Sequence, residues 1–480
     1  MTRSASSPPF VESNELHNSR IKRISKMTLH NLPTEVISMI LRFYEDELEK
    51  ANAKERLRRT LVLGQIDRRL RAIAISETTL WSTIYLTWSK SIVDLYLQRS
   101  QDSRTGESKL SVYLDTRASG TSNRKANQKR WREFFTSEMA NIRRLEMQVH
   151  AEDKRSDIIN AINVPAPHLE VFILHLDATV DASPRLFNDD APALHTAFLH
   201  TGFHHNLAAF PSLRTFRLKV GPSNSRKILE MLQDASSLTE ISLLGMRDRT
   251  DLPPSPDEKI VLTACSVLSL RHLESSRVRF ILSNISLPQL ERLTVVETIV
   301  PSDGVISPFS ISTTLPMLPS EAALGPRTTL YLLLHSHRFA IEIRGYRYEA
   351  NWEQFRNTDL TRFLEKVISA ITSPSRLLRM KPCRLVICNN ITFKQRSRRY
   401  PLVLVDSDQH QILCETFATY SSIQHMKILG DITPIENALL SCARNLPVLA
   451  VIQTSRQLKA ADADSLARIC KKRPLWIEHY

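Results

Sequence analysis

Four histidines, His195, His200, His204 and His205, follow closely on Asp189 and Asp190. Imidazoles and carboxylates are the ligands a transition metal takes when they converge on one face. Here the spacing matches no established ligand pattern, and Leu199 and Phe203 between the histidines read as core. Asp406-Ser-Asp408-Gln-His410 sets two carboxylates beside an imidazole, the material of acid–base catalysis; its polarity reads as a loop. Neither Gly-x-Ser-x-Gly nor His-Glu-x-x-His occurs. A Ser/His/Asp triad is built from distant residues, and no local pattern points to one. The six cysteines, at 265, 383, 388, 414, 442 and 470, include no Cys-x-x-Cys pair. That spacing argues against a zinc ribbon and a disulfide scaffold, and for a reduced intracellular protein, cytoplasmic or nuclear, with buried thiols.

Glycine is scarce, with ten in 480 residues, and none form Gly-x-Gly-x-x-Gly or Gly-x-x-x-x-Gly-Lys. A phosphate-cradling loop needs glycine so that its backbone can approach the phosphate, which argues against dinucleotide, P-loop and kinase chemistry. The chain is therefore expected to be no enzyme and to use no cofactor and no metal. Its net charge is +14, in scattered clusters: Arg56-Leu-Arg-Arg59, Arg124-Lys125, Lys129-Arg-Trp-Arg132, Lys394-Gln-Arg-Ser-Arg-Arg399 and Lys471-Lys-Arg473. They form no recognisable nucleic-acid module, so nucleic acid is not expected as a partner. No apolar run reaches the roughly 18 residues of a membrane span, and the polar, Ser-rich residues 1–27 read as a disordered segment without a signal peptide's apolar stretch. Membrane association is not expected.

Two apolar stripes stand near the N-terminus. Pro33 sits where a helix would start, followed by Val36, Ile37, Ile40 and Leu41 at helical spacing. A second stripe runs through Leu63, Ile66, Leu70 and Ile73, with Leu80 and Trp81 beyond it. So few short helices bury too little surface among themselves, and a partner helix or groove is the natural complement.

The order Leu32-Pro33-x-Glu35, Arg68-Arg69-x-Arg71 and Leu80-Trp81 resembles the F-box. With the following helix over Ser89–Ser100 and the strand Leu110–Asp115, it is similar to the expanded F-box family of mushroom-forming (basidiomycete) fungi. Two features depart from that family. Asp67-Arg-Arg-Leu-Arg71 stands where members often have Cys-Arg-Arg-Trp-Arg, and the charged stretch Glu45–Arg59 separates the first two helices by more than usual. The resemblance implies that Leu32, Pro33, Val36, Ile37, Ile40, Leu63, Ile66, Leu80 and Trp81 contact a Skp-family adaptor, and through it a cullin.

Beyond residue 115 an apolar-x-x-apolar-x-apolar unit recurs, beginning at Ile142, Leu169, Leu194, Leu213, Leu238, Leu290, Ile423 and Leu446. The first five starts are 27, 25, 19 and 25 residues apart, the range of leucine-rich repeats. Pro167, Pro192, Pro211 and Pro288 mark turns leading into strands, and the unit's alternating half predicts a short strand with the leading leucine turned inward. Arg226–Leu232 and Thr361–Ile371 read as helices, the latter capped by Asp359. Leu330, Leu332 and Leu334, then Phe339, Ile341 and Ile343, predict two antiparallel strands joined at His335-Ser-His337.

The expected fold is α/β: a small helical F-box at 28–88, a linker helix and first strand at 89–115, and an irregular leucine-rich-repeat solenoid of short parallel strands and helices at 116–480. The expected function is that of a substrate-recognition subunit of an SCF-type ubiquitin ligase. The F-box would dock on the adaptor and the repeat region would hold a target protein not identified by sequence. The alternative is an F-box-like scaffold or a basic, nucleic-acid-associated protein outside any ligase.

Overall fold

The computed structural model describes residues 32–48, 51–101, 109–119, 124–150, 155–176, 185–200, 206–220, 225–245, 259–299, 310–314, 317, 329–335, 338–343, 345–352, 384–389, 406–419, 422–430, 433–442, 446, 449–454 and 476–479. The sequence readings at 1–27, Phe203, His204, His205, Asp359, Thr361–Ile371, Lys394–Arg399 and Lys471–Arg473 lie outside them. The chain divides into two compact units at Val149 and His150. No helix among the described residues is long and apolar enough to cross a membrane.

The first unit contains helices α1 (Thr34–Leu48), α2 (Ala53–Leu63) and α3 (Arg68–Ser76), a 3-10 turn at Thr78–Trp81 and strand β1 (Thr83–Tyr85). It continues with α4 (Lys90–Ser100), β2 (Leu110–Asp115), α5 (Arg124–Glu138) and β3 (Ile142–Val149), and its strands pair in parallel in the order β1-β2-β3. The chain sets the helix ends locally. The Pro33 carbonyl accepts the first turn's bond from Ile37 N–H at 3.1 Å. Asn52 Oδ1 accepts from Glu55 N–H at 3.0 Å and so starts α2.

Two expectations are corrected here. The charged stretch Glu45–Arg59 is not a long separating insert, because α1 runs on to Leu48 and α2 begins at Ala53. Within it, Arg56 is fully buried and reaches Glu45 at 2.8 Å. The stripe Leu63–Ile66–Leu70–Ile73 is not one helix. Gly64 closes α2, and Asp67 Oδ1 opens α3 by accepting from Arg69 N–H at 2.7 Å and Leu70 N–H at 3.0 Å. Asp67 is thus a helix cap, and Asp67→Ala is expected to cost about 1 kcal/mol in chemical denaturation.

The core of this unit forms around Trp81, whose indole N–H donates to the Ala74 carbonyl at 2.8 Å. Tyr96 packs edge-on against Trp81 at 5.1 Å and lies 4.7 Å from Trp88. The Trp88 indole in turn donates to the Ala53 carbonyl at 3.2 Å, tying the start of α2 to the base of β1.

The second unit opens with α6 (Arg155–Ala161), β4 (Val171–Leu176), β5 (Thr196–His200), β6 (Thr215–Val220), α7 (Ser225–Gln233), β7 (Glu240–Gly245), β8 (Ile260–Val261) and β9 (Val267–Glu274). It continues with α8 (Ser275–Asn284), β10 (Ile285–Ser286), β11 (Arg292–Ile299), α9 (Ile311–Thr314), β12 (Thr329–His335), β13 (Arg338–Ile343), β14 (Tyr346–Trp352) and β15 (Arg384–Asn389). The last elements are α10 (Asp406–Thr419), β16 (His425–Gly430), α11 (Thr433–Ser441), β17 (Val451–Thr454) and β18 (Trp476–His479). The strand order is β4-β5-β6-β7-β9-β11-β14-β13-β12-β15-β16-β17-β18, with β8 and β10 paired separately. Every described pairing is parallel except those of β13, which runs antiparallel to both β12 and β14. The alternating leucines of 330–334 and the apolar residues of 339–343 form the hairpin their pattern predicts.

A repeated local device positions these strands. Leu169, Leu194, Leu213, Leu238 and Leu290 each donate a backbone N–H to the carbonyl three residues before, closing a turn. Pro167, Pro192, Pro211 and Pro288 stand second in four of those turns, where a fixed φ favours closure. Leu169, Leu194, Leu213 and Leu238 are then fully buried. Two successive N–H groups entering each strand share one carbonyl of the strand before: His195 and Thr196 on Glu170, Arg214 and Thr215 on His195, Thr239 and Glu240 on Arg214. The same geometry recurs at Ser266 and Val267 on Thr239, and at Glu291 and Arg292 on Ser266. The register stacks buried rows across the sheet: Phe216 beside Ile241, Leu268 and Leu293, and Leu218 beside Leu243, Leu270 and Val295. The last unit begins three residues later than Leu446. Leu449 closes that turn, because leucine occupies both ends of Leu446-Pro-Val-Leu449.

A bulge displaces β9 at His272, whose φ is 55°. Gly245 lies under it so closely that a Cβ there would come 2.4 Å from the His272 carbonyl oxygen. Gly245→Ala must move backbone rather than a side chain, and a loss of about 1–3 kcal/mol is expected in thermal or chemical unfolding.

Candidate docking surface

Helix α1 is apolar on two sides. Ile37, Leu41 and Leu48 pack inward, whereas Val36 (37% exposed), Met39 (58%), Ile40 (43%) and Phe43 (68%) face solvent at spacings of three, one and three. A surface helix ordinarily turns one apolar stripe to the core and polar residues outward. Leu61 and Val62 at the end of α2, Ile66 in the turn and Ile75 in α3 are also exposed. Among the described residues, eight of the ten exposed large apolar side chains therefore fall between Val36 and Ile75, a concentration that marks an interaction surface and not scattered exposure.

Ion pairs and backbone contacts fix the helices that carry these residues. The Arg69 guanidinium donates to the Leu32 carbonyl at 2.6 Å, holding the start of α1 beside the start of α3. Arg42 Nε reaches Glu77 Oε1 at 3.3 Å, holding the middle of α1 to the end of α3. Glu55 takes Arg58 at 2.9 Å and Arg59 along α2, and these guanidiniums hold its carboxyl down at about 2.

The sequence-derived residues divide on this surface. Pro33, Val36, Ile40 and Ile66 are exposed, and Leu32 and Leu63 are half-buried. Ile37, Leu80 and Trp81 are buried to 2% exposure or less. Those three form the core under the surface, and Trp81 is enclosed by Tyr96 and by the Arg99 guanidinium 4.3 Å above its ring. Met39, Phe43, Leu61, Val62 and Ile75 are the surface residues that the sequence reading omitted. Their signal was present, since α1 carries apolar residues on both faces.

The other candidates separate. His195 is exposed at the entry to β5, with Nε2 3.5 Å from Glu170 Oε2, and Asp189 lies in a turn 3.8 Å from Arg185. Among the described residues no group of three or more His, Cys, Asp or Glu converges as metal ligands would. Asp406–His410 is not a loop but the first turn of α10. His410 Nε2 lies 3.5 Å from Cys414 Sγ, yet burial and neighbouring Cys442 push that thiol up to about 12, and burial pushes Cys265 up to about 11. Both thiols stay protonated near neutral pH and are poor nucleophiles.

Several cations of the basic clusters are engaged internally. Arg56, Arg58 and Arg59 hold carboxylates. Within Lys129–Arg132, Trp131 is buried, and its indole and the Arg130 guanidinium both donate to the Leu86 carbonyl. No family model matches the chain, and no curated protein matches it.

Proposed function

We propose that the chain is a non-enzymatic substrate receptor of an SCF-type ubiquitin ligase. In this reading the exposed apolar face of residues 32–75 docks on a Skp-family adaptor, and the sheet unit holds a target protein. The observation that carries it is the solvent-facing stripe Val36–Met39–Ile40–Phe43 on a helix whose opposite face is already in the core. A face of that kind fits a partner's hydrophobic groove, read at i, i+3, i+4 and i+7. The recurring turn-and-strand unit, with its in-register leucine rows, supports a leucine-rich-repeat-like solenoid as the target-holding part. Its contribution to ubiquitin transfer is proximity, raising the effective concentration of the target near a charged conjugating enzyme. Such a receptor works in the cytoplasm or nucleus and needs no cofactor.

Co-expression with a Skp adaptor tests the proposal. A complex that survives gel filtration is the expected result. A chain that elutes folded and alone removes the ligase role and leaves a scaffold.

A further inference from the structure

The open side of the sheet unit is chemically uneven. Between β6 and β11 the side chains opposite the buried rows are Thr215, Arg217 and Lys219 on β6, Glu240, Ser242 and Leu244 on β7, Val267, Ser269 and Arg271 on β9, and Arg292, Thr294 and the buried Val296 on β11. Four are cationic and one is acidic. Glu240 is taken by Arg217 at 3.1 Å. Further along, Arg338 and Arg347 are matched by Glu349 and Glu342 at 2.6–3.3 Å, so that part of the face is neutral. Lys219 and Arg271 have no carboxylate within ion-pair distance among the described residues. The Arg271 guanidinium donates to the Ser269 hydroxyl at 3.0 Å.

These two cations stand in one row. Lys219 is opposite Leu244, and Leu244 is opposite Arg271. Two strand spacings separate them by about 9.6 Å. In a polyproline II segment, residues i and i+3 lie on the same side about 9.3 Å apart. The half-buried Leu244 between the cations offers an apolar seat for the ring of an intervening proline, and the Ser242 and Ser269 hydroxyls flank the row with further donors.

We propose that this row binds an extended, proline-containing acidic segment of the target, with anionic side chains at i and i+3 on Lys219 and Arg271. The proposal names the chemistry of the target and rests on the target-holding role proposed above. Single-stranded nucleic acid fits less well, because its binders add aromatic platforms for the bases, and the open positions of β6, β7, β9 and β11 carry no Phe, Tyr or Trp.

Fluorescence anisotropy of the full-length chain tests it, using a labelled proline-rich peptide with two glutamates three residues apart. Binding that weakens with salt is expected, as is a loss of about tenfold or more in a Lys219→Glu, Arg271→Glu variant. A peptide with adjacent glutamates should bind no better than one with none. Phosphoserines at the i and i+3 positions that bind more tightly, with the same dependence on Lys219 and Arg271, support the anion pair and identify phosphoryl as its chemistry. No binding by the native chain overturns the proposal, as does binding indifferent to the variant or to spacing, or displacement by an RNA oligonucleotide at lower concentration than the peptide. Adaptor capture, measured on the same variant, is expected to be unchanged, so failure of this site is distinguishable from failure of the ligase role.

Discussion

Replacing Ile40 and Phe43 together by aspartate is expected to abolish co-purification with a Skp adaptor while leaving the protein folded. Both side chains point away from the core, at 43% and 68% exposure, so two carboxylates there cost the isolated chain little. In a docked complex the same carboxylates would sit desolvated in an apolar groove, and affinity should fall at least 100-fold, on the order of 3 kcal/mol. The control is Ile37→Asp, one turn away on the buried face, which is expected to lose the fold itself. Circular dichroism and gel filtration separate the two effects. Undiminished capture by a folded Ile40→Asp, Phe43→Asp protein would place the adaptor elsewhere and sink the docking assignment.

That contrast between neighbouring residues was only half legible in the sequence. The spacing of Val36, Ile37, Ile40 and Leu41 predicts a helix, and α1 is there. Spacing alone does not say which apolar face has a partner within the chain, because Tyr96 and Trp88, which complete the core around Trp81, come later in the sequence. The Leu63–Ile73 stripe misled because apolar periodicity ran across a helix end. Gly64 and Asp67, stop and start signals three residues apart, marked that break. Strands β4, β5, β6, β7 and β11 were legible because each is announced by a turn and a leucine before a two-residue alternation. That local signal fixes both register and face.

The row of Lys219 and Arg271 follows from register as well, but only once β6, β7 and β9 are known to be neighbours. The segment between β7 and β9 contains the short strand β8, which pairs with β10 and stands outside the main sheet. Sequence order alone would therefore misplace Arg271 by one strand. Surface chemistry of this kind depends on which strands adjoin, and no local pattern in the chain encodes it.

Glu297 is the feature furthest from any sequence signature, and its stability effect should be among the largest. It is fully buried on β11, and its carboxyl receives the Ser310 hydroxyl at 2.6 Å and the Ser310 backbone N–H at 3.3 Å. The Tyr348 hydroxyl donates to its other oxygen from β14. These partners lie 13 and 51 residues away, so the carboxyl joins β11 to two distant segments. Glu297→Ala leaves donors buried without an acceptor and is expected to cost about 3 kcal/mol or more. Burial outweighs those hydrogen bonds and raises the carboxyl above the ordinary glutamate range, while the buried phenol of Tyr348 is raised further still. The folded state therefore holds its proton to higher pH than the unfolded state. Stability from this group is full below the ordinary carboxylate range. It falls as pH rises through that range toward the folded pKa, then levels off once both states are ionised. Glu297→Gln keeps an acceptor for Tyr348 and removes the titration. Chemical denaturation across mildly acidic to neutral pH should therefore show native stability declining relative to the glutamine variant. A constant difference between the two would mean that the fold does not raise the carboxyl's affinity for its proton, the three donors offsetting the cost of burial.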